Sequence, residues 1–495
     1  MLTNKHPQYV EHLLDWTLMR DCYKGERAIK YKGTAYLPAT SGQIIDGMGA
    51  DEDGGIAYES YKTRAVFPGY AYTAIESYLG LLHNKPTVIT LPPEMEYLHT
   101  SASVMGEPLL QILRKIQIEQ LITGRVGVLL DLKSTAAQPL PYLALYHAER
   151  VINWDENDPV AGSNSLNMVV LDESRPIRTS DFVWRTARKY RILTLGDILT
   201  NEVNNDGAVY QQSVVDMTSQ NSDHPTTNVN YQDFITPMIR NTPLEEIPFV
   251  FINSKDTSAI PDVPPLLPLA TLSLAIYRAE ADYRHTLYMQ GQDTLVVIAG
   301  ASDPDEETRI GAGSKIDINI GGDAKYIGVS SSGLTEMRQS LENDRTLAQS
   351  MSGQLASNKG SQESGDALQL RLASQTANLT QIAISSCHGV EKVLKLCARW
   401  MGLDENLVSV TPNLQFIETR ISGQDFVQLM QAKSMGMPLS DESIHDLLAS
   451  QNLTAKEFAE EYAIAAEELA KWRASNQPPA PTEQPILKDA PPAVN

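Results

Sequence analysis

The chain has 495 residues, 42% of them hydrophobic and 20% charged, which is ordinary for a folded protein and long enough for two to four domains or subdomains. Its net charge of −21 argues against a protein that grips duplex DNA by its phosphates, because such binding uses Lys and Arg. Its three cysteines are too few and too scattered for a disulfide framework or a zinc site, which favours a reducing compartment.

The N-terminus predicts no export signal. Lys5, His6, Glu11 and Asp15 stand where a signal peptide needs an apolar core. The longest apolar stretch, residues 263–277, is shorter than the ~20 residues of a membrane span. We therefore expect a soluble cytosolic product with no membrane partner.

The first part of the chain predicts helices. Amphipathic spacing indicates them at residues 8–22, 62–82 and 105–123. Residues 51–54 loosely resemble a calcium loop, but the later bidentate Glu is missing, and we expect a solvated turn.

From Gly124 to Ile252 the apolar period changes from 3.6 to 2, which predicts short strands. The predicted strands cover residues 126–130, 142–146, 151–154, 168–171, 183–193, 209–215 and 249–252. Residues 185–191 are the most basic segment of the chain. Alternation in one strand would put these charges largely on one face, either as a solvent-facing sheet surface or as a patch for a negatively charged partner.

The stretch 262–401 predicts three helices. The first follows Pro264-Pro265, the second starts near Leu334, and the third covers residues 366–401, roughly 50 Å at ~1.5 Å per residue. Ser385-Ser386 with Gly389 offers a place for a kink. Long apolar stripes at steps of three and four are typical of helices packed side by side, and we expect sister copies to cover them. The stripe residues assigned to contacts between copies are Leu269, Leu272, Ile276, Tyr283, Leu372, Leu379, Ile382 and Val393.

Two insertions separate these helices. A small strand-rich segment with an acidic tip lies between the first and second helices, with strands predicted at residues 294–298, 316–320 and 326–329. A Gly/Ser-rich loop between the second and third cannot bury itself. Beyond the third helix we predict a strand at 408–416, helices at 423–435, 441–451 and 455–474, and a disordered Pro-rich tail at 476–495. Ser440 is a predicted N-cap, and Thr454 with Glu457 a capping box.

A search for catalytic motifs returns nothing specific. There is no phosphate loop and no G-x-S-x-G, and Gly311-Ala312-Gly313 lacks the third glycine of a dinucleotide fingerprint. His147 and His388 lack the second histidine of a helical zinc site. The carboxylates at 303–307 could in principle bind a divalent ion, but four such groups on one turn are usually just hydrated. We therefore expect a protein that is not an enzyme, with no catalytic residue, metal or cofactor; an enzyme with a divergent site is the alternative.

The order of these parts resembles the tailed-bacteriophage portal proteins, in particular a portal-like branch long described as a domain of unknown function. The resemblance covers about residues 5–475, and its local matches are Tyr36-Leu37-Pro38, Arg64-Ala65-Val66-Phe67, Lys85-Pro86, Ile247-Pro248-Phe249-Val250 and Ser364-Gly365-Asp366-Ala367-Leu368. It implies an α+β portal fold with a strand-rich wing, a helical stem, a small α/β clip, a long kinked helix and a helical crown.

Laid on this sequence, the resemblance implies the following parts: wing 1–255, stem helices 256–291 and 332–352, clip 292–331, tunnel loop 353–365, long wing helix 366–402, wing strand 403–422 and crown 423–475. In the tunnel loop, the residues nearest the DNA would be Ser357, Asn358, Lys359, Gly360, Ser361, Gln362 and Glu363. In the clip, those contacting partners would be Asp303, Asp305, Glu306, Glu307, Lys315 and Lys325.

The function implied by the resemblance is a ring, usually a dodecamer, at one capsid vertex of the virion, assembled in the host bacterial cytoplasm. The ring would be the channel for DNA packaging and ejection, with double-stranded DNA passing non-specifically. Its other partners would be the large terminase subunit, a head–tail connector or adaptor, and the major capsid and scaffolding proteins. The alternative is another ring-forming connector or channel or scaffold protein, which would not require a flexible loop between the two later helices.

Overall fold

The computed structural model describes residues 4–132, 140–156, 166–196, 209–216, 234–290, 294–298, 323–327, 332–352, 365–416, 423–450, 453–454 and 456–475. These residues form helices and several small antiparallel sheets, so the predicted α+β class is confirmed. The chain divides into two compact units, Met1–Phe416 and Ile417–Asn495. The assignment of segments to wing, stem, clip and crown stays a prediction.

The helices of the first unit are α1 (Pro7–Lys24), α2 (Glu26–Tyr31), α3 (Ser41–Ile45), α4 (Asp53–Arg64), α5 (Tyr70–Leu82), α6 (Leu109–Thr123), α7 (Leu267–Gln290), α8 (Ser332–Met351) and α9 (Gly365–Met401). The prediction of one helix at 62–82 is wrong. The chain leaves helical geometry after Arg64, because Pro68 has no N–H and disfavours helix at the residue before it. The solvated turn predicted at 51–54 is also wrong in part, since α4 begins at Asp53 and Gly54 is buried, next to the backbone of Gln43 in α3.

The strands are β1 (Val88–Thr90), β2 (Arg125–Leu132), β3 (Pro141–His147), β4 (Val151–Glu156), β5 (Leu166–Asp172), β6 (Arg175–Arg178), β7 (Trp184–Ala187), β8 (Lys189–Leu195), β9 (Tyr210–Asp216), β10 (Phe249–Asn253), β11 (Thr294–Ile298), β12 (Asp323–Ile327) and β13 (Ser409–Thr411). They pair antiparallel in the orders β10-β2-β3 and β4-β5-β8-β9, and in the pairs β1-β13, β6-β7 and β11-β12. The strand predicted at 408–416 is shorter than expected, because only β13 finds a partner, in β1.

The basic strand predicted at 183–193 is two strands. Arg188 separates β7 from β8, and the two belong to different sheets. Arg191 of β8 is half-buried and donates to Glu173 at 2.7 Å and Asp131 at 2.8 Å. The solvent-facing interpretation holds only in part, because ion pairing draws Arg191 into the sheet whereas Arg185 and Arg188 stay exposed.

Two apolar cores form around the sheets and among the helices, and α9 takes part in both. Leu379 and Ile382 belong to the helical core, whereas Val393 belongs to the core of the sheets. Gly389 of α9 lies so close to β10 that a Cβ there would stand 2.5 Å from Cγ1 of Ile252. The glycine that the sequence marks as a possible kink thus permits a close helix–strand contact.

The second unit contains α10 (Gly423–Ser434), α11 (Asp441–Ser450) and α12 (Phe458–Ser475). Ser440 caps α11 as predicted, since its Oγ accepts from the backbone N of Ser443 at 3.0 Å. The start predicted for the last helix is wrong by three residues: Thr454 accepts from the N of Lys456, and the helix begins only at Phe458.

Candidate functional site

The candidate site is a two-helix arm made of α7 and α8, which flank the strand pair β11–β12 in the chain. Leu269 near the start of α7 and Met351 at the end of α8 line the same cavity, and Arg345 of α8 contacts Glu280 further along α7. The two helices therefore run antiparallel. The strand pair confirms the predicted strand at 294–298, whereas the one predicted at 316–320 lies outside the described residues.

A buried carboxylate joins the two helices of the arm. The Glu280 side chain is only 5% exposed and accepts from Arg284 Nε of its own helix and from Arg345 Nη2 of α8, each at 2.5 Å. A buried carboxylate is costly unless it is paired and hydrogen-bonded, and here two guanidinium groups meet that need. This contact orients α8 on α7.

The middle of the arm is attached to α4. Tyr61 donates to Oδ1 of Asp282 at 2.6 Å, and the Arg64 guanidinium stacks 4.0 Å from the centroid of the Tyr288 ring. Arg64 Nη2 also lies 3.2 Å from Nδ1 of His285. Burial, together with the Arg64 charge, lowers the pKa of His285, so the ring is neutral at pH 7 and can accept this hydrogen bond. The arm is thus held by polar contacts at defined positions.

Beyond these contacts the arm exposes apolar surface. Leu287, Tyr288 and Met289 at the end of α7 are 42%, 62% and 63% exposed, and Leu347 of α8 is 52% exposed. Among the described side chains of α8, the buried hydrophobic ones are Leu341 and Ala348. Exposed apolar side chains on a helix pair that is held in place are candidates for contact with another molecule.

The stripe residues predicted to face sister copies lie elsewhere. The side chains of Leu269, Ile276, Leu379, Ile382 and Val393 are at most 2% exposed within a single chain. Their assignment to contacts between copies is therefore wrong, because the chain's own helices and sheets cover them. Leu272 and Tyr283 are partly buried against the same helical core, and nothing is described of the Leu372 side chain.

Most residues of the predicted tunnel loop and clip lie outside the described part of the chain: the loop residues 357–363, the acidic residues 303–307 and Lys315. Lys325 is described on β12, where its side chain is 57% exposed and its Nζ lies 3.6 Å from a carboxylate oxygen of Asp323. An exposed ion pair of this kind contributes little to stability.

At the base of the arm lies a largely apolar cavity of about 200 Å³, lined by residues of α5, α6, α7, α8 and α9 and by the chain just before α7. Among its lining residues the titratable side chain is Tyr78, whose pKa is raised by burial. Within the ranges that the structure describes, no group of three or more His, Cys, Asp or Glu side chains is placed to hold a metal ion. No described helix is both long and apolar enough to span a membrane.

The Glu280 contact was missed at the sequence level, although a signal exists. Glu280 follows Ile276 by four residues and precedes Tyr283 by three, so it falls on the apolar stripe of α7. A carboxylate on a buried stripe needs a cationic partner. Which partner it finds depends on the packing of α8.

Residues 265–401 match the family model described as "Domain of unknown function (DUF4055)". No curated protein matches the chain.

Among solved structures, the chain is similar to a chain of the "Virion of native gene transfer agent (GTA) particle", at 13% identity and a TM-score of 0.41, covering 83% of this chain and 98% of the other. It is also similar to a chain of the "Neck of native GTA particle computed with C12 symmetry", at 12% identity and a TM-score of 0.33, covering 77% and 89%. A third similarity, to the "Neck of empty GTA particle computed with C6 symmetry", has 12% identity and a TM-score of 0.38, covering 83% and 98%. All three TM-scores lie below 0.5.

Proposed function

We propose that copies of this chain form a ring around a central channel and that the ring belongs to the head or neck of a phage particle. The observation that carries the proposal is the arm. It is held at defined positions by Glu280, Tyr61 and Arg64, yet it exposes Leu287, Met289 and Leu347 to solvent. Arms placed side by side around an axis would cover that surface, and a head-to-tail contact between copies closes into a ring.

Within this proposal the ring is a portal at one capsid vertex, through which double-stranded DNA is packaged and later ejected. Support comes from the order of parts, in which a helix, a strand pair, a second helix and the long helix α9 follow each other. The net charge of −21 is consistent with a channel whose wall repels the DNA phosphates, so that DNA passes through without being bound. The terminase motor and the connector would dock at the β11–β12 end of the arm, and the role is structural, not catalytic.

The experiment is electron microscopy of the purified full-length chain, combined with native mass spectrometry. The expected result is a closed ring with a central hole, in which α7 and α8 of neighbouring copies touch. A chain that stays monomeric at every concentration, or a compact dimer without a hole, would contradict the proposal.

Two variants test the DNA path and the docking end. Lys359→Ala is expected to leave ring assembly intact, since a loop facing the channel does not hold copies together; a ring that fails to form would show that the loop is structural. Reversing the charges of residues 303–307 is expected to weaken docking of the motor or the connector. Unchanged binding of both would remove the clip assignment.

A further inference from the structure

The β6–β7 hairpin projects where β5 ends and β8 begins. Its register pairs Arg175 with Ala187 and Arg178 with Trp184, and the N of Thr179 donates to the Val183 carbonyl at 2.9 Å across the turn. Side chains on both faces of this hairpin are exposed, Ile177 and Ala187 excepted. The hairpin continues the β5–β8 pairing in the same register, since Asp172 pairs with Tyr190 and Arg175 with Ala187, so it extends beyond the four-stranded sheet with little packed surface of its own.

The exposed side chains of the hairpin are aromatic and cationic. Phe182 is 92% exposed, Val183 51% and Trp184 64%. Three exposed arginines lie on the hairpin, Arg175, Arg178 and Arg185, and the exposed Arg188 follows it directly. Among the residues that the structure describes, no carboxylate pairs with any of these four. Trp and Arg together are typical of the residues that carry most of the energy at protein–protein interfaces.

A complementary surface, which we call the acidic patch, lies at residues 44–56 of the same unit. Ile44, Ile45 and Ile56 are 60%, 83% and 58% exposed. Its exposed carboxylates are Asp46, Asp51, Glu52 and Asp53, and the segment contains no Lys or Arg. Glu52 accepts from the N of Gly49 at 2.6 Å, while in the described part of the chain no basic side chain pairs with the other three. The patch thus combines exposed isoleucines with unpaired negative charge.

We propose that the β6–β7 hairpin of one copy docks on the acidic patch of a second copy of this chain. The four arginines meet the four carboxylates of the patch, Asp181 between β6 and β7 being the one acidic residue among them, and the apolar tip of the hairpin meets the isoleucines. Because the two surfaces differ, the contact is head-to-tail. Each copy docks its hairpin on one neighbour and binds the hairpin of another neighbour on its acidic patch.

Duplex DNA fits the hairpin less well than a second copy does. DNA would satisfy the arginines but would offer no comparable apolar surface to Phe182, and the strongly negative remainder of the chain repels phosphates. The inference goes beyond the proposed function, since the contact between copies does not depend on DNA passing through the ring.

The test uses two full-length variants. The hairpin variant carries Arg178→Glu and Arg185→Glu, and the patch variant carries Asp46→Lys and Asp51→Lys. Each places like charges across the contact, so each alone is expected to lose the assembled species in sedimentation velocity, while the circular dichroism spectrum of the folded chain stays unchanged. Arg27→Glu with Arg114→Glu changes the net charge as the hairpin variant does, at exposed sites outside both surfaces, and is expected to assemble normally.

Mixing the two variants gives the sharpest readout. In the mixture the glutamates of one variant meet the lysines of the other, and the native arginines meet the native aspartates. We therefore expect assembly to return in an equimolar mixture and in a single chain carrying all four substitutions. In the same samples the tryptophan emission is measured in a Trp472→Phe background, in which Trp184 is the exposed tryptophan and the other three are buried, and it is expected to shift to shorter wavelength on assembly.

Three outcomes would overturn the inference. They are normal assembly of both variants, loss of assembly in the matched control as well, and no recovery on mixing or in the chain with all four substitutions. Salt-dependent binding of a duplex DNA probe that disappears in the hairpin variant, with assembly unchanged, would assign the hairpin to nucleic acid instead. A ring that forms without this contact would leave the proposed function standing.

Discussion

Arg345 of α8 donates to the buried carboxylate of Glu280 in α7 at 2.5 Å, and this ion pair links the two helices of the arm. Glu280→Gln removes the negative charge that two guanidinium groups share. We expect a loss of about 1.5–3 kcal/mol in the free energy of unfolding of the arm, the range for a hydrogen bond to a charged group. Hydrogen exchange would show it as faster exchange of the α8 amides with α6 unchanged.

The matched control for Glu280 is Glu342→Gln on α8. The Glu342 side chain is 66% exposed and lies 3.8 Å from Arg345. Because water screens this ion pair, it contributes little to the free energy of unfolding. Exchange in α8 should stay as in the native chain. Equal effects of the two substitutions would show that the buried position of Glu280 does not matter.

Leu347→Glu tests whether the open face of the arm holds copies together. The side chain is 52% exposed, so the free energy of unfolding of the single chain should change by no more than about 0.5 kcal/mol. A carboxylate buried between arms would disfavour the ring, and native mass spectrometry should show its loss. Leu407→Glu, at a site 54% exposed and distant in sequence from the arm, is the control and should leave the ring intact.

Two glycine substitutions in helices should have opposite effects. At Gly389 of α9 an added Cβ would meet Ile252, so Gly389→Ala is expected to cost about 1–3 kcal/mol from overpacking. At Gly80 of α5 nothing lies within 4 Å of the added Cβ, and Gly80→Ala should stabilise by about 0.5–1 kcal/mol through helix propensity. Urea midpoints measure both, and equal signs would refute the close contact between α9 and β10.

Glu119 predicts a pH dependence of stability. Burial alone would raise the pKa of this carboxyl, but hydrogen bonds from His147 and Arg20 outweigh it, and the pKa is lowered from its ordinary value. A lowered folded pKa gives stability that is present above the ordinary value and is lost as the pH falls through the folded pKa. The urea midpoint should therefore fall on acidification below about pH 4.5, near the ordinary value for Glu.

The variant Glu119→Gln isolates this group from the other carboxyls. It leaves Arg20 with Glu149 as its remaining carboxylate, so it should be less stable than the native chain at pH 7. Its urea midpoint should change less between pH 5 and about pH 3, because the group that titrates is gone. A pH profile parallel to that of the native chain would contradict the lowered pKa.

Much of the local structure follows from sequence alone. Steps of three and four predict α7, α8 and α9 close to their observed bounds, and alternation predicts β2, β5 and β10. These patterns are readable because the period of a helix or strand depends on neighbouring residues only. Interruptions of an element are harder to predict. The end of α4 after Arg64 can be predicted only from the helix-breaking effect of Pro68, and the end of β7 before Arg188 depends on the pairing of β7 with β6.

By itself the sequence determined the element types, the order of parts around residues 262–401 and which faces are apolar. Only the tertiary structure decided what covers those faces: Leu269, Ile276 and Val393 are buried by their own chain, whereas Leu347 and Trp184 stay open. The hydrophobic effect is non-directional, so an apolar stripe on a helix predicts that the stripe is buried but does not indicate which element buries it. The partner is chosen by long-range packing, which also brings Arg345 to Glu280 and leaves the β6–β7 hairpin exposed.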